Sequence, residues 1–273
     1  MNPRQSVLDS ISRTGIAILP PMDVKQSMAI LADCGVHATT SILDPWYNKG
    51  IGGVMPDDQY DDFIRHILAQ SARLSDIIYL WGFPEVIGPY VRFAPRGFRM
   101  TAWLTWFYKN CPSVIRGWRS SQNACLQFTS EAATLHPENF LSKQQELRLD
   151  EGNMRFVPGP TSVIEVPLIV GFVGKNERTG HPAQKPEAVF ERIILMSTQS
   201  SDIVIDLMAG SGTTGSVARK HKRAAILCDS NEEYVAMIED RLNQKRITAE
   251  ELGLNEPTAT NPICTAPSVR QVG

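Results

Sequence analysis

The sequence predicts a single α/β domain with a mixed, mainly parallel sheet. Three observations carry this. The 273 residues, 42% apolar and 21% charged, suffice for one large core. Short apolar runs alternate with amphipathic helical stretches, the rhythm of strands joined by helices. Late in the chain, a glycine-rich loop follows an apolar run and opens a helical pattern, as at a strand-to-helix ligand site.

The elements follow in order. Residues 16–19 read as a strand ended by Pro20-Pro21, and residues 23–34 as a helix capped by Asp23, with Val24, Met28 and Leu31 at helical spacing. A buried strand over 39–43 stops at Asp44-Pro45. After a Gly-rich loop (48–55), an amphipathic helix over 57–74 puts Tyr60, Phe63, Ile64, Ile67 and Leu68 on one side. Its paired aspartates (57, 58, 61, 62) suit a helix N-terminus and a solvated face. Residues 77–81 form a further apolar strand. The rhythm breaks over 131–160, a polar surface insertion with helix-forming character at 141–149 and turn signals at Gly152-Asn153 and Pro158-Gly159-Pro160. Regular structure resumes over 162–173. Pro186 then sits in a first helical turn, followed by a strand 202–206, a helix from Thr213, a strand 224–229 and a helix 232–245. The domain is expected to close at residue 254, and the Thr/Pro-rich stretch 255–273 to be disordered. No internal repeat is visible.

Composition narrows the function classes. Five scattered cysteines without a CxxC pair argue for reduced thiols, against a disulfide framework and against a zinc site. No apolar run approaches a bilayer span and no secretory leader opens the chain, so the expectation is a cytoplasmic protein without a membrane or metal partner. Net charge is −2, yet no Asp or Glu lies between Glu85 and Glu131. Arg92, Arg96, Arg99, Lys109, Arg116 and Arg119 fall there among Tyr90, Phe93, Phe98, Trp103, Trp106, Phe107, Tyr108, Trp118 and Phe128. Basic side chains interleaved with aromatic faces suit a phosphate backbone and an unstacked base. For any one of these residues the alternative is strand core or a solvated face.

Two sites carry chemistry. In the late loop, Gly210, Gly212 and Gly215 match GxGxxG, and Asp229 ends the next strand where an acid can take two ribose hydroxyls. Asp206 ends the strand beside the loop, and no Lys or Arg follows until Arg219. A pyrophosphate would meet a negative charge there, whereas a sulfonium and ammonium ligand would be favoured by charge pairing. The early site is Asp44-Pro45-Trp46-Tyr47. An exocyclic amine on a base is a poor nucleophile because its lone pair is delocalised into the ring. A carboxylate (Asp44) and a carbonyl (Pro45) accepting its protons return electron density to nitrogen, while a stacked ring (Tyr47) holds an extruded base. Taken alone, that tetrapeptide equally suits a strand terminator.

In combination the motifs resemble those of the β-class DNA amino-methyltransferases. The run 44–47 resembles the family's catalytic Asp-Pro-Pro-Tyr, and residues 77–82 the strand after it. Residues 179–186 (Thr-Gly-His-Pro-Ala-Gln-Lys-Pro) resemble its His-Pro-Thr-Gln-Lys-Pro. Residues 206–214 resemble Asp-Pro-Phe-Ala-Gly-Ser-Gly-Thr-Thr, and Asp229, Asn231 and Tyr234 its ribose-binding segment. The likeness covers most of residues 15–245. It implies a Rossmann-like domain with its catalytic half before its cofactor half, S-adenosylmethionine as cofactor and DNA as partner, with a homodimer left open. The site residues it implies are catalytic Asp44, Pro45, Trp46 and Tyr47. On the cofactor side they are His181, Gln184, Lys185, Asp206, Ala209, Gly210, Gly212, Thr213, Thr214 and Asp229.

Three departures stand out: Trp46 replaces a proline, Leu207-Met208 replace Pro-Phe, and the insertion where the family places target recognition (131–160) is short. Asp44 favours adenine N6 over cytosine N4, since cytosine enzymes of the family often carry Ser there. A catalytically silent nucleic-acid-binding relative and a dinucleotide oxidoreductase remain rivals, the latter disfavoured by Asp206. No cysteine has a nucleophile's surroundings, which argues against methylation at carbon 5 of cytosine.

Overall fold

The computed structural model describes residues 2–48, 53–111 and 117–254. Arg116, Cys264, part of the Gly-rich loop and the stretch 255–273 lie outside the described residues. The eight strands are β1 (Ile16–Ile18), β2 (Ala38–Leu43), β3 (Ser75–Gly82), β4 (Phe98–Phe107), β5 (Gln122–Ser130), β6 (Val163–Glu165), β7 (Ile203–Asp206) and β8 (Ala224–Leu227). They form one sheet in the order β1-β8-β7-β2-β3-β5-β4-β6. All neighbours run parallel except β3·β5 and β4·β5. The antiparallel hairpin falls in the aromatic, acid-free stretch, so Phe98, Trp103, Trp106, Phe107 and Phe128 are strand residues, while Tyr90, Phe93, Tyr108 and Trp118 lie outside the strands with Arg92, Arg96, Lys109 and Arg119.

Helices cover both faces, with the one-turn α4 (Pro84–Ile87) after β3, and accordingly β3, β7 and β8 carry near-continuous apolar runs. Along β3, Ile78 and Leu80 pack with α2 (Val24–Asp33) and α3 (Asp57–Leu74), whereas Ile77, Tyr79 and Trp81 pack with α6 (Glu187–Ser197). The cofactor half is closed by α7 (Thr213–Lys220) and α8 (Glu232–Leu242) over β1 and β8.

Several boundaries differ from the sequence expectation. An N-terminal helix α1 (Pro3–Thr14) was not anticipated, because its buried face is thin: Val7 and Ser10. Its punctuation was nonetheless present, with Asn2 as N-cap, Pro3 in the first turn and Gly15 in the left-handed region at φ 77°. Pro186 is the N-cap of α6 and not a first-turn residue. Helix α8 stops at Leu242, not 245, because Asn243 turns left-handed at φ 44°. Within 162–173 only β6 pairs, since Pro167 offers no N–H to extend it.

Parallel pairing of β2 with β7, Ile42 opposite Asp206, sets the ends of both strands side by side. The chain leaves β2 for α3 on one face and β7 for α7 on the other, which opens a crevice at the carboxyl edge of the sheet. The β4–β5 turn lies at this edge too, because Gly82 pairs with Ala124 and Ala124 with Thr105. The insertion 131–160 starts at the opposite edge and returns to β6 beside Thr105, whose N–H bonds the Ser162 carbonyl at 2.8 Å. It leaves β5 at Ser130, opposite Phe98, and is pinned to the C-terminal end of α6 by His136 N–H to Met196 O (2.8 Å) and Asn139 Nδ2 to Leu195 O (2.8 Å). Its helix α5 (Lys143–Asp150), held by a Ser142/Gln145 capping box, buries none of its residues.

Candidate active site

The first wall of the crevice is the end of β2. Asp44 Oδ2 lies 2.5 Å from Lys185 Nζ, and its Oδ1 lies 3.1 Å from the Tyr47 hydroxyl. That hydroxyl accepts from Lys185 Nζ at 2.8 Å and lies 3.1 Å from Asn123 Oδ1, so its single proton goes to Asp44 or to Asn123. Burial first, then the Asp44 charge, pushes the Tyr47 hydroxyl well above the usual tyrosine range, and it stays a neutral donor. Phe83 meets the Tyr47 ring edge-on at 4.7 Å. The hydroxyl of Tyr47 therefore anchors the cluster as firmly as its ring does, where the sequence had offered only the ring.

Trp46 points elsewhere. Its ring packs on Phe63 (4.9 Å) and edge-on to Tyr60 (5.6 Å) in the α3 layer, and its carbonyl accepts from the Tyr60 hydroxyl at 2.6 Å. Aromatic packing supplies the rigidity that a second proline would have given, and the indole stands behind the crevice.

The second wall is the glycine loop. Ala209 N–H bonds Cys228 O (2.9 Å), and Asp229 receives Gly210 N–H on Oδ2 (2.9 Å) and Asn231 N–H on Oδ1 (3.0 Å). Gly210 and Gly212 have φ of 47° and 72°, and a Cβ at Gly210 would come within 2.9 Å of His181 Nε2. His181 stands edge-on to Tyr234 at 4.3 Å, and its Nδ1 accepts from Ala183 N–H. Burial depresses its pKa to about 4, so it is a neutral wall behind the loop. Thr213 donates to the Lys185 carbonyl (3.0 Å), tying the loop to the Lys-bearing segment.

Three of the expected cofactor contacts are spent differently. Lys185, its side chain 6% exposed, reaches across to Asp44. Gln184 is used up within its own loop, accepting from Thr179 N–H and hydroxyl and donating to Glu177 O (2.6 Å). Asp206, 2% exposed, accepts from the Thr214 hydroxyl (2.5 Å) and Met208 N–H (3.2 Å). Burial, reinforced by Asp44 and Asp229, raises its pKa to about 7. Near neutral pH it is therefore only partly ionised, and its negative charge is full only at higher pH. Two supporting residues went unnoticed in the sequence. Asn123 on β5 faces Tyr47, and Arg241 on α8 donates to Ser211 O (2.9 Å), Thr213 Oγ1 (3.1 Å) and Glu187 Oε1 (2.8 Å), bracing the loop. Neither belongs to a local pattern.

The basic residues do not form one patch. Lys109 and Arg119 flank the β4–β5 turn at the crevice edge, both exposed, Lys109 paired with Glu165 at 2.6 Å. Arg99, opposite Thr129, and Arg96 beside the start of β4 lie at the far edge, because β4 runs the whole depth of the sheet. Arg92 is exposed at the end of the 3₁₀ turn Gly88–Arg92.

The donor set fits S-adenosylmethionine. Each Asp229 oxygen has given one lone-pair direction to a backbone N–H and keeps another for a vicinal diol, and two left-handed glycines let backbone approach a ligand closely. A family profile described as DNA methylase matches residues 42–240, most of the chain and both walls of the crevice. The chain belongs to the N6/N4 DNA methylase family. It is 31% identical over 219 residues to the Type II methyltransferase M.HpaI of Haemophilus parainfluenzae, covering 75% of this chain and 68% of that protein. It is 47% identical over 101 residues to the DNA adenine methyltransferase YhdJ of Escherichia coli K12, covering 37% of this chain and 33% of that one. This DNA methylase shares its fold with the M1.HpyAVI–SAM complex (TM-score 0.63, 23% identity, 84% of this chain and 99% of that one). It also shares it with the cytosine-N4-specific PvuII DNA methyltransferase (TM-score 0.61, 17% identity, 88% and 92%). Among the described residues no helix is long and apolar enough to cross a membrane, and no group of three or more His, Cys, Asp or Glu is placed to hold a metal.

Proposed function

We propose that this DNA methylase transfers a methyl group from S-adenosylmethionine to the exocyclic N6 amine of an adenine extruded from DNA. The observation that carries this is the Asp44 carboxylate at the end of β2, beside the glycine loop at the end of β7. Asp44 and the Pro45 carbonyl are the acceptors for the amine protons, which keeps the nitrogen lone pair out of the ring. Lys185 fixes Asp44 Oδ2, leaving Oδ1, shared with the Tyr47 hydroxyl, to meet the amine. Tyr47, with Phe83 behind it, offers the face on which the base stacks. Asp229, Gly210 and Gly212 hold the cofactor, whose sulfonium supplies an electrophilic methyl group when bound. Asp44 in place of serine supports adenine over cytosine N4. The cytosine reading is kept because the PvuII enzyme shares the fold. Expression in a methylation-free host, followed by single-molecule sequencing and nucleoside mass spectrometry, tests both. N6-methyladenine is expected, N4-methylcytosine would replace the adenine assignment, and unmodified DNA would defeat the activity.

Two results are expected at the cofactor wall. Asp229→Ala should weaken S-adenosylmethionine binding by about 1.5–3 kcal/mol, the range for hydrogen bonds to a charged group, with calorimetry as the check. Unchanged affinity would remove Asp229 from the pocket. Cofactor affinity should also depend on pH through Asp206. Its raised pKa makes the protonated form the favoured one in the free protein below about 7. A cationic ligand favours the carboxylate, so binding below pH 7 must expel a proton. Affinity should fall by up to about tenfold per unit as pH drops below 7 and level off above it. Calorimetry in buffers of different ionisation enthalpy measures that proton directly. A pH-independent affinity, or the same dependence in Asp206→Asn, would contradict the assignment.

A further inference from the structure

We propose that the turn at residues 170–173 presents Phe172 to duplex DNA as a wedge filling the gap that the extruded base leaves in the stack. This rests on the methyltransferase function proposed above. Phe172 is 95% exposed, with Val170 and Val173 partly exposed on either side. Together Val170, Phe172 and Val173 leave an apolar patch in solvent, the kind of surface that marks an interaction site.

The turn that carries it is firmly held. Val173 N–H bonds Val170 O (3.1 Å), Gly171 supplies the left-handed φ of 59°, and Arg178 donates to Gly171 O (3.3 Å). At its base the Asn110 amide clamps both backbone groups of Leu168, at 2.8 and 2.9 Å. Both ends of the loop stand at the crevice edge. It starts where Val166 N–H bonds the Phe107 carbonyl at the end of β4, and it leads into Lys185, which reaches Asp44.

Charge identifies the partner. Lys175 and Arg178 are exposed on this loop, and Arg119 and the 97%-exposed Trp118 on the neighbouring β4–β5 turn. Cations around an exposed aromatic match a polyanion with a stack of flat apolar bases inside it. Apolar wedges inserted at a base step are an established way to hold such a stack open.

The test uses the full-length protein and a duplex bearing the site found by methylome mapping, with a fluorescent analogue at the target base. Wild type should raise the fluorescence on binding, as the analogue leaves the stack. Phe172→Ala, saturated with the same duplex, should lose most of that rise. Its kcat/KM should fall roughly tenfold more on a fully paired duplex than on one mismatched at the target, where the base is already loosened. Phe172→Leu, which keeps an apolar wedge, should restore most of both. A full fluorescence rise with Phe172→Ala, or equal losses on paired and mismatched duplexes, would overturn the wedge; the second outcome would leave Phe172 as a general docking contact. A wild-type protein that methylates neither duplex would sink the methyltransferase reading instead.

Discussion

Asp44→Ala is expected to lower kcat by roughly a hundred- to a thousandfold, the cost of removing one preorganised group aimed at the reacting atom. Cofactor affinity should stay close to wild type, because Asp44 Oδ1 and Oδ2 face Tyr47 and Lys185 and not the Asp229 wall. The variant also leaves the Lys185 ammonium buried with only the Tyr47 hydroxyl beside it. A stability loss of up to about 3 kcal/mol should therefore accompany the catalytic loss. The two effects separate in Asp44→Ala/Lys185→Met, which removes the stranded charge. Melting temperature should recover in the double variant while activity does not. Recovery of turnover together with stability would show that Asp44 matters only as a counter-ion.

The second large effect is expected from Gly210→Val. The position is left-handed at φ 47°, where a β-branched side chain is strained, and its Cβ would press on His181 Nε2 at 2.9 Å. Strain of this kind costs about 1–3 kcal/mol of stability. The larger consequence is for the cofactor, because His181 cannot yield without disturbing its contact with Tyr234 and the Ala183 N–H bond. S-adenosylmethionine affinity should drop by roughly a hundredfold or more. Calorimetry at matched folded fraction distinguishes this from simple unfolding. Affinity within about twofold of wild type would place the cofactor away from the loop.

Much of the frame was legible because it is local. Helix α3 matches its expected bounds, 57–74, since its apolar stripe is wide and its limits are marked by Pro56 and by Ser75 in extended geometry. The glycine loop and Asp229 were found because strand, loop and acid lie within one strand–helix–strand unit. What remained hidden was non-local. The Lys185–Asp44 pair joins residues 141 apart, and nothing within either motif says that β2 and β7 are neighbours. Asn123 and Arg241 act across the sheet and across a helix layer, with no spacing signal of their own. The stretch 92–119 read as one basic field, but a ten-residue strand through its middle carries its two ends to opposite edges of the sheet. Lys175 and Arg178, which share an edge with Lys109 and Arg119, carry no local signal because they sit in a loop of mixed charge.

The β2–β7 pairing also sets a timetable for biosynthesis. Thr40 finds its partner Val204 only after the intervening residues 41–203 have been made, while its other neighbour, Ile77, is available early. At ordinary translation rates the gap is on the order of ten to thirty seconds. Through that interval β2, with Thr39, Thr40 and Ile42 β-branched, offers an unpaired edge, the kind of surface that seeks a strand from another chain. Asp44 likewise has neither Lys185 nor the glycine loop beside it until those later segments have emerged. Chaperone demand during synthesis should be concentrated on the β2 edge.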